Sequence, residues 1–418
     1  MITEKSLSGR RFVWALFSLA LAARVGVVLR AGPPVFSGDS LEYHRYAVSV
    51  LENGRFEAGG SRATRMPGYP LFLCAAYAAA GPSPRAVQAL QCLLGALTCL
   101  LIYGCARRLV APPWAAACGL AAAFCRDLVA PSGWLLSECL YAFLLAAGFF
   151  ALYREGWSAR RRALCCAAAF GGAYAARPEA AVLVAPILAA LGWRKGFSRR
   201  ASAWGLAAFL AFPAAWAWRN ARALGRPLPA SSVGGFNAYL GLRLPLARFK
   251  PGLGPIFEPP AALGELDRDA AFLAEYRRLR AETSRFDRLR ARMYNLAALY
   301  YPFLPEYDAT YMLLFPFFLA GLWLARMRRE LVPLAWAVLA SSAVYAIFAG
   351  PVSRYRFGFA PCWVLLAACG AEHARKVFGP RRWRLAAGGW AAANLAVALG
   401  SPVFRRAALA LKGLVWPG

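Results

Sequence analysis

The chain has 418 residues, 60% of them hydrophobic, and carries 49 Lys and Arg against 20 Asp and Glu, for a formal charge of +29. That apolar share excludes a soluble globular protein and points to an all-α polytopic membrane protein. The basic surplus falls mostly in breaks between apolar segments, so the positive-inside rule explains it and nucleic acid is excluded as a partner. With eleven cysteines, no CxxC pair and only two histidines, neither a disulfide framework nor a Cys/His metal site is expected.

Segments of about 20 apolar residues match a bilayer core. Eleven are expected, over 12–31, 87–106, 113–130, 133–153, 163–176, 179–193, 201–218, 309–326, 331–349, 355–374 and 385–400. The first is too long, and lacks too clear a cleavage site, for a removable signal. Lys5, Arg10 and Arg11 precede it, and Arg107-Arg108, Arg160 to Arg162, Arg194 to Arg200, Arg326 to Arg329 and Arg375 to Arg384 mark alternate later breaks as cytoplasmic. The N-terminus is then inside. An abundance of Ala, Arg and Gly suggests a GC-rich bacterial genome, hence the bacterial cytoplasmic (inner) membrane.

Two long breaks fall on the outer side. The first, 32–86, opens with Gly38-Asp-Ser-Leu-Glu-Tyr43, reads as a helix from Leu41 to Leu51 with Tyr43, Tyr46, Ala47 and Val50 on one side, and continues through Arg65-Met-Pro-Gly-Tyr-Pro70. Its segment Leu71 to Ala80 is apolar but too short to cross, and is expected along the interface. The second, 219–307, contains a charged helical stretch from about 264 to 299. There Phe272, Leu273, Tyr276 and Leu279 form an apolar stripe suited to anionic head groups. The organisation is therefore a transmembrane module (1–218) carrying the first outer loop, an outer loop with an amphipathic helix (219–307), and C-terminal transmembrane helices (308–418).

Asp39 and Glu42 have the spacing of a helix-capping box. They also suit general-base chemistry on a hydroxyl at the membrane face. Glu138 lies near the outer end of an apolar span, where an acid is costly and is a candidate for a functional site, with snorkelling to water at the helix end as its alternative role. Arg177-Pro-Glu179 fits a salt-bridged turn as well as a substrate contact. Arg65, Arg219-Asn220 and Arg354-Tyr-Arg356 lie at one membrane face, and guanidinium forks match phosphate oxygens. Anchoring at the interface is their alternative role. His44 points away from Glu42 on a helix. Asp127, Glu306 and Asp308 are further acids near the outer face.

Taken in order, Gly38-Asp-x-x-x-Tyr43, Arg65-x-Pro-Gly-Tyr-Pro70, the stretch Gln88 to Tyr103, Leu-Ser-Glu138, Ala176-Arg-Pro178, Arg219-Asn220 with Gly234-Gly-Phe-Asn237, and Arg354-Tyr-Arg356 resemble the C-type integral-membrane glycosyltransferases. That group includes protein mannosyltransferases and the lipid A aminoarabinose transferase. The resemblance implies that Asp39 is the catalytic base, supported by Glu42, with Glu138 as the second acid. It implies substrate-binding roles for Arg65, Tyr69, Arg177, Arg219, Asn220, Arg354 and Arg356. The donor it implies is a polyprenyl-phosphate sugar, and the acceptor a lipid, a polysaccharide or a protein. Arg126-Asp127 stands where relatives have prolines, and the histidine of metal-binding relatives is not evident, so a divalent metal ion is left open. A transporter or flippase of a lipid-linked sugar and a glycan polymerase or ligase are the competing readings. A transporter has no special need of acids concentrated in an outer loop, and no inverted repeat is present.

Overall fold

In the computed structural model the described residues are 4–184 (except 33 and 35), 187, 198–303 and 307–400. Among them the regular structure is helical, with no strand beyond two isolated bridges. The helices are α1 (Glu4–Ala31), α2 (Asp39–Asn53), α3 (Gly68–Ala80), α4 (Pro84–Leu109), α5 (Pro112–Phe124), α6 (Arg126–Val129), α7 (Glu138–Tyr153), α8 (Ala159–Ala176), α9 (Arg199–Leu224), α10 (Gly234–Leu246), α11 (Glu265–Glu282), α12 (Arg285–Leu299), α13 (Ala309–Leu324), α14 (Val332–Phe348) and α15 (Ala360–Leu399). Gly9–Ala31, Pro84–Leu109, Arg199–Leu224 and Arg329–Phe348 are each long and apolar enough to cross a bilayer, while α3, α7 and α13 are shorter apolar helices. Most of the span expected over 179–193 lies outside the described residues, as does Glu306.

The bundle has two unlike ends. Arg107 and Arg108 close α4, Arg160 to Arg162 open α8, and Arg326 to Arg329 join α13 to α14, all at one end. The opposite end carries α2, α3 and α10–α12. α15 breaks at Gly379, whose φ of 73° an L side chain rarely adopts. Past that break the chain returns along α13, with Trp390 Nε1 donating to the Met312 carbonyl (3.0 Å) and Asn394 Nδ2 to the Ala309 carbonyl (2.7 Å). The two spans expected over 355–374 and 385–400 thus fall on the two limbs of one broken helix.

The span expected over 113–130 is interrupted. α5 stops at Phe124, and residues 125–137 form a compact turn of short α6, a 3-10 turn at Ala130–Gly133 and extended backbone. Pro131 and Gly133 disfavour helix there. Irregular backbone inside a membrane bundle must find its hydrogen bonds within the protein. Gln88 Nε2 donates to the Gly133 carbonyl (2.9 Å), and Gln91 Nε2 to those of Trp134 (2.6 Å) and Ser132 (3.1 Å). Arg24, fully buried in α1, donates to the Ala123 and Leu128 carbonyls (3.4 and 3.1 Å) and to Cys99 Sγ (3.2 Å). These side chains from α1 and α4 set the position of Glu138 at the head of α7.

The α11 stripe is covered by the chain itself. Phe272, Tyr276 and Leu279 pack with Tyr239, Leu242 and Leu246 of α10, so this stripe does not rest on head groups as the sequence suggested. The outer loops are also tied together. Glu265, first in α11, accepts from the Arg62 and Ala63 backbone N–H groups (2.6 and 2.8 Å) and from the Ser232 hydroxyl.

Candidate active site

Gly38 has φ 48°, a left-handed value that glycine adopts without a Cβ penalty, and the turn it makes puts Asp39 first in α2. The helix N-terminus favours both first-turn acids, Asp39 and Glu42. Neither caps it, however. No side-chain cap bond is present, and the capping-box reading fails because both carboxylates turn to arginines instead. Arg65 Nη2 donates to Asp39 Oδ1 and its Nε to Glu42 Oε2, both at 2.7 Å. Arg354 Nη2 takes the other oxygen, Asp39 Oδ2, at 2.8 Å.

Pro67-Gly68 brings Arg65 into reach. A Cβ on Gly68 would lie 2.6 Å from the Ala175–Ala176 backbone, so only glycine lets α3 start against the end of α8. That end presents Arg177. Its Nη1 lies 3.2 Å from Glu138 Oε1, and its Nε is bonded to Glu179. Arg354 Nε reaches the same Glu138 oxygen at 3.3 Å, while Glu138 Oε2 is buried without a partner. Tyr345 donates to Glu179, and Tyr345 and Tyr355 stack at 4.8 Å beside the Arg177 guanidinium.

Asp39, Glu42, Arg65, Glu138, Arg177 and Arg354 line one cavity of about 690 Å³. Its lining also includes the apolar side chains of Leu240, Leu244, Val344 and Phe348. Four carboxylates (Asp39, Glu42, Glu138, Glu179) face three guanidiniums (Arg65, Arg177, Arg354). Burial pushes the Asp39 carboxyl upward, but Arg65 and Arg354 outweigh it and hold Asp39 below its ordinary value. Burial opposes the charge on Arg354, yet Glu138 and Asp39 keep it firmly protonated.

Four expected site residues lie outside this cavity. Tyr69 is buried beneath it, donating to Gln91 Oε1 (2.9 Å) and meeting Tyr43 edge-on. Arg219 donates to the Arg62 and Phe56 carbonyls (2.5 and 2.6 Å), bracing the first loop against α9, and Asn220 to that of Leu228 (2.7 Å), just past the end of α9. Arg356 is sealed in a cluster with Asp127 (2.6 and 2.8 Å) and Asp308 (3.2 Å). Tyr345 was not singled out from the sequence, since an isolated tyrosine near a span end carries no spacing signal, and Tyr355 entered only as the middle of Arg354-Tyr-Arg356. His44 bonds Tyr77 through Nδ1 (3.0 Å) and stacks on Phe36. Among the described residues no three His, Cys, Asp or Glu side chains converge as a metal-ligand set. With Asp39, Glu42 and Glu138 each facing a guanidinium, the residues present do not fit a divalent ion.

No family model and no curated protein matches the sequence. Solved structures do match. ArnT from Cupriavidus metallidurans in the apo state aligns with a TM-score of 0.54 at 14% identity, covering 90% of this chain and 62% of that one. The fold is that of the C-type membrane glycosyltransferases. ArnT bound to undecaprenyl phosphate aligns with a TM-score of 0.50 at 15% identity over 89% of this chain and 60% of its own. The Archaeoglobus fulgidus oligosaccharyltransferase tethered to an acceptor peptide gives 0.50 at 14% identity over 93% and 53%. The chain thus spans between about half and two thirds of the length of these C-type glycosyltransferases.

Proposed function

We propose that the chain is a glycosyltransferase that moves a sugar from a polyprenyl-phosphate donor to an acceptor hydroxyl at the outer face of the bacterial cytoplasmic membrane, the bundle crossing about eleven times. The observation that carries this is the meeting of Asp39, Arg65, Arg354, Glu138 and Arg177 on one cavity that Leu240, Leu244, Val344 and Phe348 also line. A polyprenyl tail needs apolar lining, and a sugar phosphate needs cations. One neighbour in fold holds undecaprenyl phosphate, which supports this donor class.

The carboxylate surplus gives the mechanism its form. A phosphate enters only if an arginine exchanges a carboxylate for it, and Arg354, shared between Asp39 and Glu138, is the group placed to do so. Losing that partner lets burial raise the basicity of Asp39 just as the donor arrives. Asp39 then takes the acceptor's hydroxyl proton. The acceptor oxygen bonds to the anomeric carbon from the face opposite the leaving group, and the carbon–oxygen bond to phosphate breaks with inversion. Its electron pair leaves on polyprenyl phosphate, whose charge Arg354 and Arg177 stabilise. Tyr345 and Tyr355 offer stacked faces to the sugar.

Purified protein in liposomes, given a labelled polyprenyl-phosphate sugar, should release polyprenyl phosphate by transfer or hydrolysis. Movement of intact donor across the bilayer with no bond cleavage would replace this reading by a flippase.

A further inference from the structure

The apolar stripe of α11 is covered, but that of α12 is not. Phe286, Leu289 and Met293 are 72, 58 and 54% exposed. Their spacing of three and seven residues puts them on one face of the helix. The opposite face, with Ala291, Asn295 and Leu299, is buried in the protein.

The height of α12 is known from its bonds. Asn295 Nδ2 donates to the Ala346 carbonyl (3.1 Å), in the last turn of α14, and to the Gly241 carbonyl of α10 (2.7 Å). α14 is one of the four helices able to cross a bilayer, and its Trp336, Leu339 and Phe348 are exposed apolar residues of the kind that face lipid. The part of α12 around Asn295, which holds Met293, therefore lies level with the end of a span, where hydrocarbon gives way to head groups.

Charge identifies what covers it. α12 carries four arginines and one acid. Arg288 turns inward to the Arg280 and Thr283 carbonyls (2.7 and 2.8 Å). Arg285 and Arg292 fall on one flank of the stripe and Arg290 on the other, at 100° per residue. An apolar stripe at this depth, with exposed cations on both flanks, has the form of a helix lying in the plane of an interface. We propose that α12 is embedded along its Phe286–Leu289–Met293 face in the leaflet at the cavity end, its arginines engaging the phosphates of anionic lipids. This does not depend on the reaction the cavity performs.

The methionines supply the test. Met293 lies in the stripe, Met327 is exposed in the arginine-rich turn at the other end, and Met66 is buried. The full chain, one copy per lipid nanodisc containing phosphatidylglycerol, would be treated with dilute hydrogen peroxide and each methionine followed by mass spectrometry. Met293 should oxidise at least about fivefold more slowly than Met327, as immersion of the stripe requires. Discs of phosphatidylcholine alone, or the combined R285Q, R290Q and R292Q variant in anionic discs, should protect it less. Equal rates for Met293 and Met327 would overturn the proposal. So would protection seen only in discs holding two copies, which would make a second chain the cover. Protection indifferent to lipid charge and to the arginines would overturn the role given to anionic head groups.

Discussion

Arg354 and Arg356 stand two residues apart on one 3-10 turn, yet they belong to different kinds of site. Arg356 is 1% exposed and meets Asp127 and Asp308 in a sealed cluster that joins the turn to α6 and α13. Arg354 is 31% exposed and divides its donors between Asp39 and Glu138 on the cavity. A closed ion cluster is a fastening, because removing one partner strands the others. A half-open one can trade partners with an incoming anion. Chemical identity and distance along the chain are nearly the same, so the difference lies in what surrounds each guanidinium.

The largest effect is expected at the carboxylate that Arg354 serves. Asp39→Asn should lower transfer by about a hundred- to ten-thousandfold, the usual contribution of a general base, at unchanged thermal stability. Near-normal turnover of radiolabelled donor would remove Asp39 as the base. In the sealed cluster the loss should be one of folding: Arg356→Gln should cost about 3–5 kcal/mol, seen as a fall in melting temperature or failure to elute as one species. Arg354→Gln should instead keep its stability within about 1 kcal/mol and lower kcat as well as kcat/KM for the donor, by about tenfold or more, the loss of at least one charged hydrogen bond to the leaving phosphate.

A pH profile sharpens the contrast. The Asp39 carboxyl is held below its ordinary value, so the base is present above that depressed pKa and is lost only as pH falls through it. The acid limb of kcat/KM, which reports the free enzyme, should thus lie below the ordinary carboxylate range. In Arg354→Gln one lowering influence is gone while burial remains, so the limb should move to higher pH. The smallest effect is expected for Glu42→Gln, where a half-exposed pair with Arg65 contributes about 1 kcal/mol or less to stability.

Much of this arrangement could be read along the chain, and its failures share a cause. The amphipathic pattern of α2 and the short apolar α3 were evident because local periodicity specifies them. Asp39, Arg65 and Arg354 were expected at one membrane face from their places beside the spans, whereas Arg177 was left open between a plain turn and a substrate contact. Tyr69, Arg219 and Asn220 were expected to touch substrate, but they bond to Gln91 and to loop carbonyls that no local pattern reveals. The α11 stripe was assigned to head groups because its cover, α10, lies some thirty residues away (Phe272 against Tyr239). The interruption of the span at Cys125 was missed for the same reason, its carbonyls being satisfied from α1 and α4.

Arg24 has a consequence for how the molecule is made. It lies about two turns from the cavity end of the first helix, and its protein acceptors beyond its own helix are Cys99, Ala123 and Leu128. When that helix leaves the ribosome none of them has been synthesised. An arginine within a lone span costs about 2.5–3.5 kcal/mol at the translocon. The first helix therefore acquires the full set of Arg24 partners only once the chain has been made as far as Leu128, about a hundred positions downstream.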